Sequence, residues 1–533
     1  MKFAQHFNTI TTPQSQPIPG ETQTQVQNNA GGFVYEIDAW QQFRRFLILG
    51  SEGGTYYVDE KNLTLENATA ALKCVQENPQ RAVDLIVEVS DKGLAQKNDA
   101  AIFALALCLS AQAPLPARRL ASATFNKVIR IGTHLFQFLE ASKGLRGWGR
   151  TMKQVLSNWY LSREVDALAY QVLKYQNRAG WTHRDVLRKL HLPPPSPAHD
   201  ALFKYVVGKL SDVTEETPDV PRLIVGRERA LRCEPNQAAA LVRQYGLTHE
   251  MIPNEVKDRP DVWEALLEHM PLHAVLRNLN KMTAVGLLEN RSAATLNIVA
   301  QLQDAERIRK SRLHPITILT ALEQYSKGKG FRGDLTWNPV AKITDALDGA
   351  FYLAFSNARP VGGKGVCLAL DVSGSMAGGG LGEILSPREI TAAMALVVAA
   401  IEPNHEIMAF SRGFVPLSIS PNMRLDQVIR AVENLPFDST DCSVPMRWAN
   451  AKKKAFDLFV VMTDNQTWRG TVHPSQALRQ YRQQVNAGAR LVVCATTPTK
   501  FSIADPKDPG MLDIAGFSSD VPEVIGMFGR GEI

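Results

Sequence analysis

The spacing of apolar residues changes once along this 533-residue chain, at Asn357-Ala358-Arg359-Pro360-Val361-Gly362-Gly363. Upstream, from about Phe33, apolar residues recur at three-and-four spacing in short segments such as 63–77, 98–111, 122–138 and 315–325. That spacing predicts amphipathic helices, and the breaks between them carry Gly, Pro or Asn. So long a run of short helices and short loops suggests stacked helix pairs, as in solenoids, although no strict sequence period accompanies it.

Downstream, short apolar runs alternate with amphipathic segments. Residues 366–370, 406–410, 414–419, 458–462 and 491–495 read as strands, and 386–400, 425–433, 474–485 and 521–527 as helices. Ser386-Pro387-Arg388-Glu389 supplies a capping serine, a proline at the first helical position and a glutamate three residues on. Fully apolar strands alternating with helices imply a doubly wound, mainly parallel α/β sheet. Residues 1–32, rich in Gln, Thr, Asn and Pro, read as a flexible polar arm. The expected organisation is an arm (1–32), an all-α repeat region (33–363) and an α/β domain (364–533).

Composition excludes several classes. With 45% hydrophobic and 21% charged residues the chain is neither disordered nor collagenous. The longest apolar stretches, 100–109 and 392–401, have about half the length of a bilayer-spanning helix, so no membrane association is expected. The N-terminus lacks a hydrophobic signal region, and the six cysteines stand singly without a CxxC pair. Both point to a reduced, cytoplasmic compartment and away from structural zinc.

The net charge of +6 is unevenly placed. Between Arg118 and His191 stand 14 Lys and Arg (Arg118, Arg119, Lys127, Arg130, Lys143, Arg146, Arg150, Lys153, Arg163, Lys174, Arg178, Arg184, Arg188 and Lys189) against four acids. A basic excess confined to about one seventh of a chain is how a polyanion-binding surface is usually encoded, whereas solvated helix faces normally mix both signs. Two stretches stand out. In 143–150, glycines let the backbone of Lys143, Arg146 and Arg150 approach a phosphate, and Trp148 is either a stacking platform for a base or a packing anchor. In 178–191, Thr182 and Asp185 fit a helix start, after which Arg184, Arg188 and His191 recur on one face opposite Val186, Leu187 and Leu190.

A second chemistry follows the first apolar strand. Asp371-Val372-Ser373-Gly374-Ser375 offers a carboxylate and two hydroxyls at alternate positions, where open α/β sheets bind ligands. Thr440 in a later loop and Asp464 at another strand end complete a set of hard oxygens suited to Mg2+ or Mn2+. This ordered set resembles the metal-ion-dependent adhesion site of von Willebrand factor A domains. The resemblance implies that Ser373, Ser375 and Thr440 bind the ion directly or through water and that Asp371 and Asp464 orient them. Two enzyme readings fare worse. A haloacid dehalogenase-type phosphatase needs a carboxylate where Ser373 stands, and a two-metal nuclease needs clustered carboxylates. No Walker A sequence is present, and Gly378-Gly379-Gly380-Leu381-Gly382 lacks dinucleotide spacing. Capture of a partner carboxylate, without catalysis, is the expected use of the ion.

Three further stretches, His314–Gly333, Met270–Met282 and Ser439–Met446, together with Asp371–Met376, Thr463-Asp464-Asn465 and Ile503-Ala504-Asp505-Pro506, make the whole chain from about residue 33 resemble the Ro autoantigen family. That family comprises the 60 kDa SS-A/Ro ribonucleoproteins and their bacterial counterparts (Rsr). The resemblance implies a TROVE module, a closed ring of HEAT-like helical repeats, joined to a von Willebrand factor A-type domain. It implies binding of small noncoding Y RNAs on the basic outer surface and of single-stranded 3′ ends of misfolded RNAs in the central hole. A 3′-to-5′ exoribonuclease is an implied partner, and a monomer the expected state. The family's RNA-contacting histidine falls on the helix around Arg184, with His191 the first choice and His183 the second. Two other classes stay open: a protein-interaction scaffold built on carboxylate capture, and a metal-dependent nuclease.

Overall fold

A computed structural model describes residues 11–533 except 52–58, 146, 312, 331–332, 356–358, 364, 378–385, 412, 418, 421–422, 434, 436–438 and 519–520. Two short strands, β1 (Gln25–Gln27) and β2 (Phe33–Glu36), precede a succession of helices from Ala39–Leu49 to Ala341–Leu353. Local chemistry sets their ends. Asp38 accepts a hydrogen bond from the Gln41 amide at 2.7 Å and starts the first helix. Asn78 caps Pro79–Lys92, with proline at its first position, and Gly93 ends it at φ 66°.

The helices pack as interleaved rows. Pro79–Lys92 packs on Leu115–Val128, which meets Arg150–Leu161, which in turn meets His183–Leu190. The intervening Asp99–Leu109 packs on Gly132–Ser142. Between the rows lie the fully buried rings of Phe125, Phe136, Phe138, Trp159 and Tyr160. The hairpin of β3 (Asn177–Arg178) and β4 (Trp181–Thr182) leads into His183–Leu190. It turns through Ala179 (φ 52°) and Gly180 (φ 75°), the doubly positive backbone that two-residue hairpins favour. No described helix is long and apolar enough to cross a membrane.

The C-terminal part is a six-stranded sheet. Its strands are β5 (Val366–Asp371), β6 (His405–Phe410), β7 (Phe414–Pro416), β8 (Leu458–Thr463), β9 (Arg490–Ala495) and β11 (Met511–Ala515), with β10 (Phe501–Ser502) outside it. The order is β11-β9-β8-β5-β6-β7, and only β7 runs antiparallel. Every residue of β5 and β8 is buried, as expected of central strands covered on both faces. The strand expected over 414–419 ends at Pro416. The structure adds β11 and the helix Val444–Ala451, which the apolar pattern does not announce. At the sheet edge β11 is only half-buried and carries Asp513, so it lacks the apolar run that marks its neighbours.

Residues 11–32 correct the expectation of a flexible arm. Gln14 is wholly buried, Thr12 and Asn28 nearly so, and β1 pairs with β2, which pairs with β10. The segment is polar because its amides bond to the α/β domain: Gln14 N donates to Gly470 O at 2.9 Å, and Thr12 N to Gln476 Oε1 at 3.0 Å. Polarity signals solvation only when such partners are lacking.

Both ends of the helical run are anchored on this domain. At the first helix, Arg45 reaches Asp513 of β11. At the last, Asp345 accepts from Arg424 at 2.5 Å and Asp348 from the Leu425 amide at 3.2 Å. The run therefore closes on itself through the α/β domain, and one continuous apolar core extends from Trp40 to Phe528.

Candidate RNA surface and metal site

The basic segment divides by burial. Arg119, Lys127, Lys143, Arg150, Lys153, Arg178, Arg184, Arg188, Lys189 and His191 are exposed. Among the described residues only Lys143 of this exposed set forms a salt bridge, with Glu140 at 2.5 Å. These side chains stand on Leu115–Val128, Arg150–Leu161 and His183–Leu190, consecutive members of one row, or in the loops beside them. The row places the sequence-local excess as exposed cations on successive helices, and among the described residues only Lys143 of them is paired with a carboxylate. Arg146 lies outside the described residues.

Three expected contacts are half-buried and bonded within the fold, and a fourth is buried. Arg118 is half-buried and donates to the Ala113 and Ala111 carbonyls at 2.9 and 2.7 Å. Arg130 donates to Ser90 Oγ at 2.9 Å and to Lys127 O at 2.8 Å. Lys174 donates to the Tyr170 hydroxyl at 2.9 Å. His183 is the clearest correction. Its ring sits among Phe136, Trp159 and Tyr160, 2.7 Å from the Tyr160 hydroxyl, and burial pushes its pKa down to about 3. It is a neutral core residue that cannot touch RNA in this fold.

His183–Leu190 forms as the sequence predicts. Thr182 Oγ1 accepts from the Asp185 amide at 3.2 Å, and Asp185 Oδ2 accepts from the Thr182 amide at 3.0 Å. Val186 and Leu187 are buried, which turns Arg184 and Arg188 outward. His191 ends the helix in the left-handed region (φ 49°), with its amide still bonded to Leu187 O at 3.1 Å. Trp148 is half-buried, 5.9 Å from the Trp181 ring centroid, and the Lys189 ammonium lies 5.3 Å from its own. It serves as a packing anchor beneath a cation.

The candidate metal site is assembled at the carboxyl ends of β5 and β8. Parallel register pairs Leu370 with Met462, which brings Thr463 beside Asp371. The Thr463 hydroxyl donates to Asp371 Oδ2 at 2.6 Å, and the Ser373 amide donates to Oδ1 at 2.9 Å. Ser373 and Ser375 hydroxyl oxygens lie 3.1 Å apart, and Ser375 hydrogen-bonds Asp464. Thr440 enters from its own loop, its carbonyl accepting from the Trp468 and Arg469 amides at 3.2 and 3.3 Å. All five expected residues are buried.

Burial raises the pKa of both carboxylates. Asp464 reaches about 7, from desolvation first and the charge of Asp371 second. Arg388 is the cation facing Asp371. A divalent ion would relieve the mutual penalty of two buried acids, and the hydroxyls add neutral hard oxygens, so the set fits Mg2+ or Mn2+. Among the described residues no three His, Cys, Asp or Glu side chains converge. Thr463 and Arg388 were missed from sequence. Thr463 was detectable, because a strand-end residue in register with Asp371 points to the same side of the sheet.

Comparison with known proteins covers nearly the whole chain. A family model described as the TROVE domain matches residues 26–219 and 244–327, and one described as the Ro60 vWA domain matches 365–529. The chain is 37% identical over 532 residues to "RNA-binding protein RO60" of Deinococcus radiodurans, covering 99% of each. It is 35% identical over 585 residues to the protein of that description in Caenorhabditis elegans, covering 96% of this chain and 90% of the other. The crystal structure of the Deinococcus radiodurans RO (RSR) protein superposes with a TM-score of 0.70 at 35% identity, covering 93% of this chain and all of that one.

Proposed function

Because the chain belongs to the Ro60 family, in which a TROVE domain precedes a vWA domain, we propose that it is an RNA-binding protein that works without catalysing a reaction. The observation that carries this reading is the uncompensated cationic surface on successive helices of one row, built from Arg119, Lys127, Arg150, Lys153, Arg184, Arg188 and Lys189. Phosphate-rich ligands bind such surfaces by charge-assisted hydrogen bonds and counterion release. The proposed ligands are small noncoding Y RNAs on this outer surface and single-stranded 3′ ends of misfolded noncoding RNAs within the ring. The proposed setting is RNA quality control and stress response in the cytoplasm, with a 3′-to-5′ exoribonuclease as partner. Sequencing the RNA that copurifies with the protein tests the assignment. Recovery of bulk RNA in proportion to its abundance would count against it.

The α/β domain has a separate role in this reading. Asp371, Ser373, Ser375, Thr440 and Asp464 would hold Mg2+ or Mn2+, which when bound supplies an open position for a carboxylate from a protein partner. Asp371→Ala is expected to abolish Mn2+ binding measured by electron paramagnetic resonance and to leave RNA affinity unchanged in a filter-binding assay. Purified protein incubated with Mg2+ and labelled single-stranded RNA should leave the RNA intact. Cleavage that disappears in the Asp371→Ala protein would revive the nuclease reading.

A further inference from the structure

The deepest side chains of the N-terminal segment are amides, and their partners are the two loops that carry Thr440 and Asp464. Gln14 Nε2 donates to Asp441 Oδ1 and to Val472 O, each at 2.8 Å, and its Oε1 accepts from the Thr467 hydroxyl at 2.5 Å. Asn28 Nδ2 donates to the carbonyls of Asn465 and Thr467 at 3.1 and 2.8 Å. The Ala30 amide donates to Gln466 Oε1 at 3.2 Å. Contact is close enough to exclude side chains: a Cβ on Gly32 would lie 1.9 Å from Thr467 O, and one on Gly470 would lie 2.4 Å from Asp441 Oδ1.

We propose that residues 11–32 brace the metal site from outside, with Gln14 as the positioning residue that fixes the Thr440 loop against the Asp464 loop. This rests on the adhesion-type reading of that site. Thr440 and Asp464 belong to segments far apart in sequence, and a metal-binding set must be held within about 0.5 Å of its productive geometry. Among the described residues Gln14 is the one arm side chain whose two ends bond a residue of each loop, Asp441 next to Thr440 and Thr467 three residues beyond Asp464. Its donor end orients Asp441, which also accepts from the Ser443 amide at 3.0 Å and the Ser443 hydroxyl at 2.6 Å. Its acceptor end fixes the Thr467 hydroxyl, which accepts from the Cys442 amide at 3.0 Å and so closes a ring of bonds back to the first loop. Groups that bond the ligands directly typically change metal affinity by about 10- to 100-fold, and a brace bonded to the ligands' chain neighbours is expected at the lower end of that range.

The test compares four full-length proteins: the parent, Asp371→Ala, Gln14→Met (equal in length, without the hydrogen bonds) and Asn28→Ala. Mn2+ affinity is measured by electron paramagnetic resonance, and thermal unfolding is followed without metal. The expected result is Mn2+ binding by the parent, none by Asp371→Ala, and at least about tenfold weaker binding by Gln14→Met and Asn28→Ala. The weakening should appear at temperatures where both variants are fully folded, and it should exceed anything their unfolding midpoints account for. Should Gln14→Met not fold, Asn28→Ala carries the test. Parental Mn2+ affinity in the folded variants, whatever their midpoints, overturns the brace and leaves the metal reading intact. Absence of Asp371-dependent Mn2+ binding in the parent overturns the metal reading and the brace together.

Discussion

Replacing Arg184 and Arg188 by Ala and His191 by Ser in one protein is expected to weaken RNA binding by about 3–5 kcal/mol, at somewhat more than 1 kcal/mol per charge-assisted phosphate contact. All three side chains are exposed on or beside His183–Leu190, whose packing rests on Val186 and Leu187, so the fold should survive. Removing two guanidinium charges should also flatten the dependence of log affinity on log salt by roughly 1.8 for duplex-like contacts and about 1.4 for single strands. Arg188 sits in the last turn of its helix, where a cation also favours the helix dipole. A modest loss of thermal stability, a few tenths of a kcal/mol, should accompany the loss of affinity. Filter binding across a salt series decides the matter. A folded triple variant with unchanged affinity and slope would move the RNA to another face of the molecule.

The same helix shows what could be read in advance and what could not. Periodicity separated Val186 and Leu187 from Arg184 and Arg188, because a core stripe and a charged stripe impose a local pattern. His183 escaped that pattern. As the first residue of the helix it could face either way from sequence, and its burial is decided by Phe136, Trp159 and Tyr160, which come from two other helices. Arg118 and Arg130 counted as surface charge for the same reason: the carbonyls and hydroxyl they satisfy come together only on folding. The proximity of Asp371, Ser373, Ser375 and Asp464 was legible because they stand at or just after the ends of neighbouring strands, whereas Thr440 comes from a separate loop. Arg388 was not, since its place beside Asp371 follows from how Pro387–Ile401 lies across the sheet. The arm failed for a third reason. Polar composition predicts solvation only if no backbone elsewhere needs the amides, and the loops at 441 and 465–472 do need them.

Arg45→Met is expected to destabilise the molecule by about 3–5 kcal/mol, the usual result of leaving a buried charge without its partner. Arg45 is 2% exposed on the first helix, and Asp513 is 7% exposed on the edge strand of the sheet. The Arg45 Nε donates to Asp513 Oδ2 at 3.0 Å, a second guanidinium nitrogen donates to Oδ1, and Nη1 donates to the carbonyls of Thr499 and Phe501 at 2.8 Å each. Ser502 adds a hydroxyl to Asp513 at 2.6 Å. Asp513→Asn keeps the shape and removes the charge, so it should cost less than Arg45→Met if the carbonyls alone hold the guanidinium well. Pairing the two changes should recover part of the loss, because neither then strands a charge. Denaturant titrations of the four proteins give the coupling energy. The consequence is expected to reach past stability, since this bidentate pair is where the helical run begins on the α/β domain. On the proposed reading that RNA ends are held inside the ring, a variant weakened here should lose affinity for them before it loses affinity for RNA on the outer helices. Equal loss at both would mean that the pair stabilises the fold as a whole without governing closure.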